Sequence, residues 1–205
     1  IASLELFRWG HFQHHRHTND EKDIDVWSHG PAWSLPLRWI TIDAHYLIRA
    51  LTSQDASAKK ALRAALPYIG GGLLFIVALI ASGHGFEYLM LFLIPSRLAF
   101  IAIGFSFFWL PHAHWPNDQV EIRQSKNFTL ATTVRFGKEW LLNPLLQFQN
   151  YHLIHHLWPS TPFYNNEKVW KLLEPELLQR DLAVTRDFQI MPELQFNSAT
   201  KAAEL

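Results

Sequence analysis

Two long apolar stretches dominate the pattern of hydrophobic and polar positions along the chain. The first, Leu66–Ser82, is uncharged, and the second, 86–110, follows a break at Gly83-His84-Gly85 and contains Arg97. A bilayer crossing takes about 20 apolar residues, so the pattern predicts a hairpin of two transmembrane helices, with Arg97 facing protein or a polar cavity rather than lipid. The alternative is a helical hairpin buried in a soluble protein.

The charges beside the hairpin predict its orientation. Two crossings return the chain to the side that it left, so 1–65 and 111–205 lie on the same membrane face. The turn between the runs has no Lys or Arg, whereas both flanks do, which places both flanks in the cytoplasm. The flanking cations are Lys59, Lys60, Arg63, Arg123 and Lys126.

The fold class that follows is an all-α helical integral membrane protein. We expect one domain in three segments, namely 1–65, the hairpin 66–110, and 111–205. Within the first segment, Trp33–Leu51 mixes aromatic, aliphatic and charged residues, which predicts an interfacial helix along the bilayer or an amphipathic core helix. In the last segment, a loose amphipathic helix is expected around 169–179.

Composition narrows the chemistry. The 205 residues include 18 Lys and Arg, 18 Asp and Glu, 12 His and no Cys. The absence of Cys excludes disulfides, thiolate zinc sites, iron–sulfur clusters and cysteine nucleophiles. Balanced charge gives no support for a nucleic-acid partner.

The histidines fall into two clusters with one pattern, H-x-x-H-H. The first triplet is His11, His14 and His15, and the second triplet is His152, His155 and His156. On a helix, positions i, i+3 and i+4 share a face, so each triplet can direct three imidazoles to one centre. Imidazole suits Fe, Zn, Cu and Ni, and six nitrogens exceed what one tetrahedral zinc needs. The sequence therefore predicts two metal ions, with iron favoured.

The other histidines carry less weight. His112 stands where the second run ends, on the side of the clusters, and is an even choice between a ligand and an interfacial polar residue. His114 is more simply an interfacial residue, and His17, near a helix end, is not expected to be a ligand. Asp20, Asp23 and Asp25 suit hydrogen-bond acceptors for ligand N–H groups, although a solvated acidic loop is favoured. The remaining histidines, expected at surfaces or interfaces, are His29, His45 and His84.

Other known chemistries lack their motifs. There is no H-E-x-x-H, no G-x-G-x-x-G, no phosphate loop and no G-x-S-x-G, so a zincin, a dinucleotide fold and a serine hydrolase are not supported. The apolar runs contain no His to serve as an axial haem ligand.

The stretches FRWGHFQHHRHTNDEKDID and QNYHLIHHLWPSTPFY resemble the second and third histidine boxes of the membrane fatty acid desaturase and hydroxylase superfamily. The resemblance covers most of 1–170, including the hairpin. Within that superfamily the chain is most similar to bacterial and cyanobacterial β-carotene hydroxylases. The details that carry this are Pro111-His112, Gln149-Asn150-Tyr151, and His155-His156-Leu157-Trp158-Pro159 followed by Pro162-Phe163-Tyr164.

The resemblance implies an O2-dependent di-iron enzyme that hydroxylates or desaturates a lipid C–H bond, on a carotenoid ring or a fatty acyl chain. It implies two Fe ions, O2 as co-substrate, and a separate soluble electron donor of ferredoxin or cytochrome b5 type. No catalytic residue is expected beyond the metal ligands, and the substrate-binding residues are unknown. The implied ligands are His11, His14, His15, His112, His152, His155 and His156.

One departure from the family pattern keeps other functions open. The family's first box, H-D-x-x-H, has no counterpart before His11, so we expect it upstream, on another chain, or lost in a degenerate relative. A fragment without it is expected to be inactive. The alternatives are therefore a non-catalytic membrane subunit that binds pigment or lipid, and a zinc-dependent soluble hydrolase with a buried hairpin.

Overall fold

The structure is a computed structural model that describes residues 3–114, 123–124 and 127–197. Lys126, one of the flanking cations used above, lies outside these residues. The described residues form two compact units, which are treated separately below. The first unit comprises 3–16 and 22–105, and the second unit comprises 17–21 and the part of the chain from 106 onward.

Four helices precede the turn of the hairpin. They are α1 (Leu4–His17), α2 (Leu35–Ile40), α3 (Ile42–Thr52) and α4 (Ala56–Ala81). The single helix predicted over Trp33–Leu51 is wrong, because Thr41, with φ −110° and ψ 11°, separates α2 from α3. The Thr41 hydroxyl donates to the carbonyl of Leu37 at 2.7 Å, a local hydrogen bond that suits a helix end.

The two predicted apolar helices are present. The first is α4, and the second is the continuous span Gly85–His112. Only 6% of the most apolar part of α4 and 11% of that of the second span is buried. Exposed apolar helices of this length are costly in water and suited to lipid, so the structure favours a membrane protein over a soluble one with a buried hairpin.

The second span is irregular. It contains α5 (Gly85–Tyr88), a π turn at Leu89–Leu93, α6 (Ile94–Ile103), a second π turn at Gly104–Trp109 and a 3-10 turn at Leu110–His112. Gly104 allows close packing in the first unit, because a Cβ there would overlap the side chain of Trp39. Single π turns of this kind are rare inside α-helices and are frequent at functional sites.

Arg97 is paired within the first unit, as the sequence predicted. Its guanidinium donates to both carboxylate oxygens of Asp43 in α3, at 2.9 and 3.0 Å, and to the carbonyl of Ile40 at 3.0 Å. It also lies over the ring of Phe100, 4.5 Å from the centroid. This pairing is the usual way to carry an arginine inside an apolar span.

The second unit is built on four short helices and a small sheet. The helices are α7 (Phe128–Ala131), α8 (Glu139–Leu145), α9 (His152–Leu157) and α10 (Asn166–Leu177). The strands are β1 (Thr133–Phe136), β2 (Leu182–Arg186) and β3 (Glu193–Gln195), with β1 parallel and β3 antiparallel to β2. The all-α expectation is therefore wrong in this unit, where Val134, Leu182 and Val184 form part of the core. Apolar and β-branched residues favour strands, and the chain remains mostly helical.

The sheet holds the segment that leads into α9. Val134 forms an antiparallel bridge with Tyr151, and the amide of Arg135 donates to the carbonyl of Asn150 at 2.7 Å. Leu153 and Ile154 of α9 are fully buried in the core of this unit. The apolar side of α9 is thus fixed by the core, and the histidines occupy the rest of its surface.

Candidate metal centre

The first triplet lies in the last two turns of α1, as its spacing predicted. His14 is buried, whereas His11 and His15 are half-buried. The Nε2 atoms of His11 and His15 are 3.1 Å apart, and their rings are nearly perpendicular. These two imidazoles therefore direct nitrogens at each other rather than outward.

His14 is oriented by acidic residues of the first unit. Its Nδ1–H donates to the carboxylate of Asp23, with distances of 3.0 and 2.9 Å to the two oxygens, and Asp25 lies 3.5 Å away. Asp23 also accepts from the backbone N–H of Asp25 at 2.8 Å. Both carboxylates are buried, so the favoured interpretation of Asp23 and Asp25 as part of a solvated loop is wrong. Because Nδ1 donates this hydrogen bond, Nε2 is the nitrogen of His14 that is available to bind a metal.

Tyr46 supports this acidic pair. Its hydroxyl donates to Asp25 in a short hydrogen bond, and its ring stacks on Phe7, 6.2 Å between centroids. Phe7 stacks in turn on His11 at 5.8 Å. Gly10 makes room for the tyrosine, because a Cβ at that position would overlap the Tyr46 ring. A larger residue at position 10 would therefore displace the Tyr46 ring.

Burial and charge shift the pKa values of this network. Burial raises the pKa of Asp25 to about 7, with the charge of Asp23 adding to the effect and His14 and Tyr46 opposing it. For His14, burial acts to lower the pKa, but the charges of Asp23 and Asp25 raise it above its usual value. Burial raises the pKa of the Tyr46 hydroxyl well above its usual range. The network therefore retains protons on Asp25 and His14 to a higher pH than in water.

In the second unit, three histidines direct Nε2 atoms to one point. The Nε2 of His152 lies 2.9 Å from that of His112 and 3.0 Å from that of His156. All three side chains are almost completely buried. His112, which the sequence left as an even choice, is thus brought together with two members of the second triplet.

The opposite ring nitrogens of these three histidines have their own partners. The Nδ1 of His112 lies 3.0 Å from the carbonyl oxygen of Ala131, and that of His152 lies 2.5 Å from Oε1 of Gln149. The Nδ1 of His156 lies 3.4 Å from the hydroxyl of Thr18. A carbonyl oxygen only accepts hydrogen bonds, so His112 and His152 each carry the proton on Nδ1.

This proton placement makes the group a suitable metal site. With Nδ1 protonated, the neutral rings of His112 and His152 present lone pairs to each other at 2.9 Å, and a cation held between them would remove this repulsion. Imidazole nitrogens bind iron, zinc, copper and nickel, so these converging Nε2 atoms could hold a first-row metal ion.

The other histidines are placed as follows. His155 is half-buried, and its ring centroid lies 5.4 Å from that of His152, outside the group of three Nε2 atoms. His114 has its Nδ1 3.2 Å from the carbonyl of His112, and His17 has its Nδ1 3.4 Å from Asp20. His45 stacks on Trp27 at 4.7 Å, and His84 is exposed in the turn between the spans.

Several residues that contact the histidines or acidic groups of each unit have no signal in the sequence. Tyr46, Thr18 and the carbonyl of Ala131 were not singled out, and Gln149 was noted only as part of a family motif. Their partners are His residues or Asp25, at separations that range from 3 to 138 residues along the chain. Gln149 is close to its partner in sequence, but helical spacing cannot reveal the other three, because they depend on how distant segments pack.

The chain belongs to the fatty acid desaturase family. Residues 1–188 match the family model described as fatty acid desaturase, which confirms the resemblance to the desaturase and hydroxylase superfamily. No curated protein and no solved structure matches the chain significantly. The closer similarity to β-carotene hydroxylases stays a prediction.

Proposed function

We propose that this protein is an O2-dependent di-iron oxidoreductase that hydroxylates or desaturates a C–H bond of a lipid, either a carotenoid ring or a fatty acyl chain. The observation that carries the proposal is the group of His112, His152 and His156, with Nε2 separations of 2.9 and 3.0 Å. Oxygen atoms accept hydrogen bonds from Nδ1 of His112 and His152, so their Nε2 atoms are left to bind metal. Family membership supports the reaction class.

The proposed ligands are those predicted from the sequence. Two groups of facing Nε2 atoms support two metal positions, one pair in the first unit and one group of three in the second. The donors are all imidazoles, which suit iron, and the described residues around them offer no thiolate. The full proposed set is His11, His14, His15, His112, His152, His155 and His156.

The protein's own residues would prepare the site for oxidation chemistry. Asp23, Gln149 and Ala131 accept hydrogen bonds from the Nδ1–H groups of the proposed ligands and so would hold each Nε2 lone pair toward the metal. The exposed apolar surfaces of the two spans would hold a hydrocarbon substrate within the bilayer and exclude water. Bound iron would supply the activation of O2 and the oxidising power for an unactivated C–H bond.

The reaction needs partners that this chain does not supply. Hydroxylation consumes O2, two electrons and two protons and releases one water, whereas desaturation releases two. We propose that a soluble ferredoxin or cytochrome b5-type protein delivers the electrons on the cytoplasmic side. Lys59, Lys60 and Arg63 in the first turns of α4, and a turn without Lys or Arg, support that orientation.

Two measurements test this function. Lipid and pigment profiles of cells that express the gene for this chain are compared with those of cells that express the His156→Ala variant. An oxidised lipid or carotenoid that only the wild-type produces supports the proposal. The purified protein in detergent should contain about two Fe per chain, and a preparation that binds zinc or no metal while forming product would contradict it.

A further inference from the structure

Two adjacent residues at the end of α1 belong to the second unit rather than to the unit that contains the first triplet. Thr18 is fully buried, and Asn19 adopts a left-handed conformation with φ 61°. Asparagine tolerates this conformation better than most residues, which suits the turn where α1 ends at His17. The turn directs two polar side chains into the second unit.

Asn19 supports the carbonyl that holds His112. Its Nδ2 donates to the carbonyl of Ala131 at 2.9 Å and to that of Arg123 at 2.8 Å. The carbonyl of Ala131 also accepts the Nδ1–H of His112 at 3.0 Å. Since a carbonyl oxygen has two lone pairs, it can accept both hydrogen bonds, and the asparagine then fixes the direction of the acceptor.

Thr18 supports a second histidine of the same group. Its hydroxyl lies 3.4 Å from Nδ1 of His156, and both side chains are buried. The Nε2 of His156 faces His152 at 3.0 Å, so Nδ1 is the nitrogen that is left to bond the hydroxyl. A hydroxyl accepts from one group and donates to another, so it can hold this ring without adding charge.

We propose that Thr18 and Asn19 are positioning residues for His156 and His112. One dipeptide would then set the orientation of two of the three Nε2 donors in the second unit, although it follows directly on the helix of the first triplet. The proposal rests on the proposed function, in which these histidines hold iron. Neither residue contacts the reacting atoms.

Three variants separate positioning from packing. Thr18→Val removes the hydroxyl, Thr18→Ser retains it, and Asn19→Gly removes the donor while allowing positive φ. Thr132→Val is the matched control, because Thr132 is also fully buried and its hydroxyl donates to the carbonyl of Phe128 at 2.7 Å instead of contacting a histidine. Each variant is purified in detergent, and its melting temperature is measured.

The measurement is titration of the purified protein with Co²⁺, followed by its visible absorption spectrum. Thr18→Val and Asn19→Gly should weaken binding by about 10- to 100-fold and alter the ligand-field bands. Thr18→Ser and Thr132→Val should keep the affinity and spectrum of the wild-type. Wild-type binding by Thr18→Val, or equal loss in Thr132→Val, would overturn the proposal.

His156→Ala separates this inference from the function on which it rests. If His156→Ala loses Co²⁺ but Thr18→Val and Asn19→Gly do not, only the positioning roles are wrong. If the wild-type and His156→Ala bind Co²⁺ equally, the proposed ligand set is wrong, and the positioning roles are overturned with it.

Discussion

His14 in the first unit and His152 in the second occur in the same H-x-x-H-H pattern, yet they meet opposite kinds of partner. The Nδ1–H of His14 donates to a carboxylate, with a second carboxylate and a tyrosine behind it. His152 faces an amide oxygen, and its neighbours His112 and His156 face a carbonyl and a hydroxyl. Carboxyl groups that can carry charge therefore face His14, whereas neutral groups face the three histidines of the second unit.

The difference implies that the two sets of hydrogen-bond partners affect their histidines in different ways. A carboxylate raises the basicity of the imidazole and stabilises positive charge on it, but two buried carboxylates are costly when nothing neutralises them. Neutral acceptors fix the ring orientation with little effect on charge. We therefore expect changes at the first triplet to alter folding stability and its dependence on pH. Changes at the three histidines of the second unit should alter mainly the affinity for metal.

The largest effects should come from removing one imidazole in each unit. His14→Ala removes the imidazole that faces the buried carboxyl groups of Asp23 and Asp25, which should cost about 3–5 kcal/mol of folding stability. His152→Ala removes the nitrogen that contacts both His112 and His156, so it should abolish high-affinity metal binding while the metal-free protein melts at or above the wild-type temperature. His84→Ala, in the exposed turn, is the control. Equal loss of stability in both variants would break the comparison.

A second contrast concerns pH. Asp25, with its pKa raised by burial from 3.8 to about 7, binds a proton in the folded state that the unfolded chain releases. The stability of the chelator-treated protein should therefore fall as the pH rises toward 7, by about 1.4 kcal/mol for each unit of pKa displacement. The raised pKa of His14 acts in the same direction. The stability that it contributes is lost as the pH rises above the usual pKa of histidine.

Thermal melting of the metal-free protein between pH 5 and 8 tests this prediction. Asp25→Asn retains an acceptor for Tyr46 and removes the charge, so its stability should fall less over this range. A variant with the same slope as the wild-type would show that Asp25 is not the responsible group.

The hydrogen bonds to the Nδ1 atoms of His14 and His152 should themselves differ in strength. Asp23→Asn replaces a charge-assisted hydrogen bond to His14, and Gln149→Met removes a neutral one to His152. Charge-assisted hydrogen bonds are about twice as strong as neutral ones, and outer partners contribute about 10- to 100-fold to metal affinity. Titration with Co²⁺ should show the larger loss for Asp23→Asn, and the reverse order would contradict the assignment of charge to the first unit.

The smallest effect is expected from the tyrosine behind the acidic pair. Tyr46→Phe retains the stacking on Phe7 and removes the donor to Asp25, which should cost about 1–2 kcal/mol. Tyr151→Phe is the control, because its hydroxyl lies a long 3.5 Å from Glu139. Chemical denaturation of both variants measures the difference, and a loss in Tyr151→Phe as large as in Tyr46→Phe would count against a special role of Tyr46.

Local patterns in the sequence determined much of the architecture. The spacing of the triplets placed them on helices, the apolar runs gave the two spans, and Arg97 required a partner. These features depend on residues within a few turns of one another, or on the cost of charge in an apolar medium. The sheet was missed because its strands are short and because β1 pairs with β2 across fifty residues, for example Thr133 with Ala183.

Only the tertiary structure decided which groups support the histidines. The sequence required a partner for Arg97, but packing chose Asp43. It offered His112 as an even choice, but packing brought its Nε2 to His152. The partner of His156 is a threonine 138 residues earlier in the chain. Helical periodicity sets which side chains share a face, whereas the hydrogen-bond partner of a buried ring depends on what the fold brings against that face.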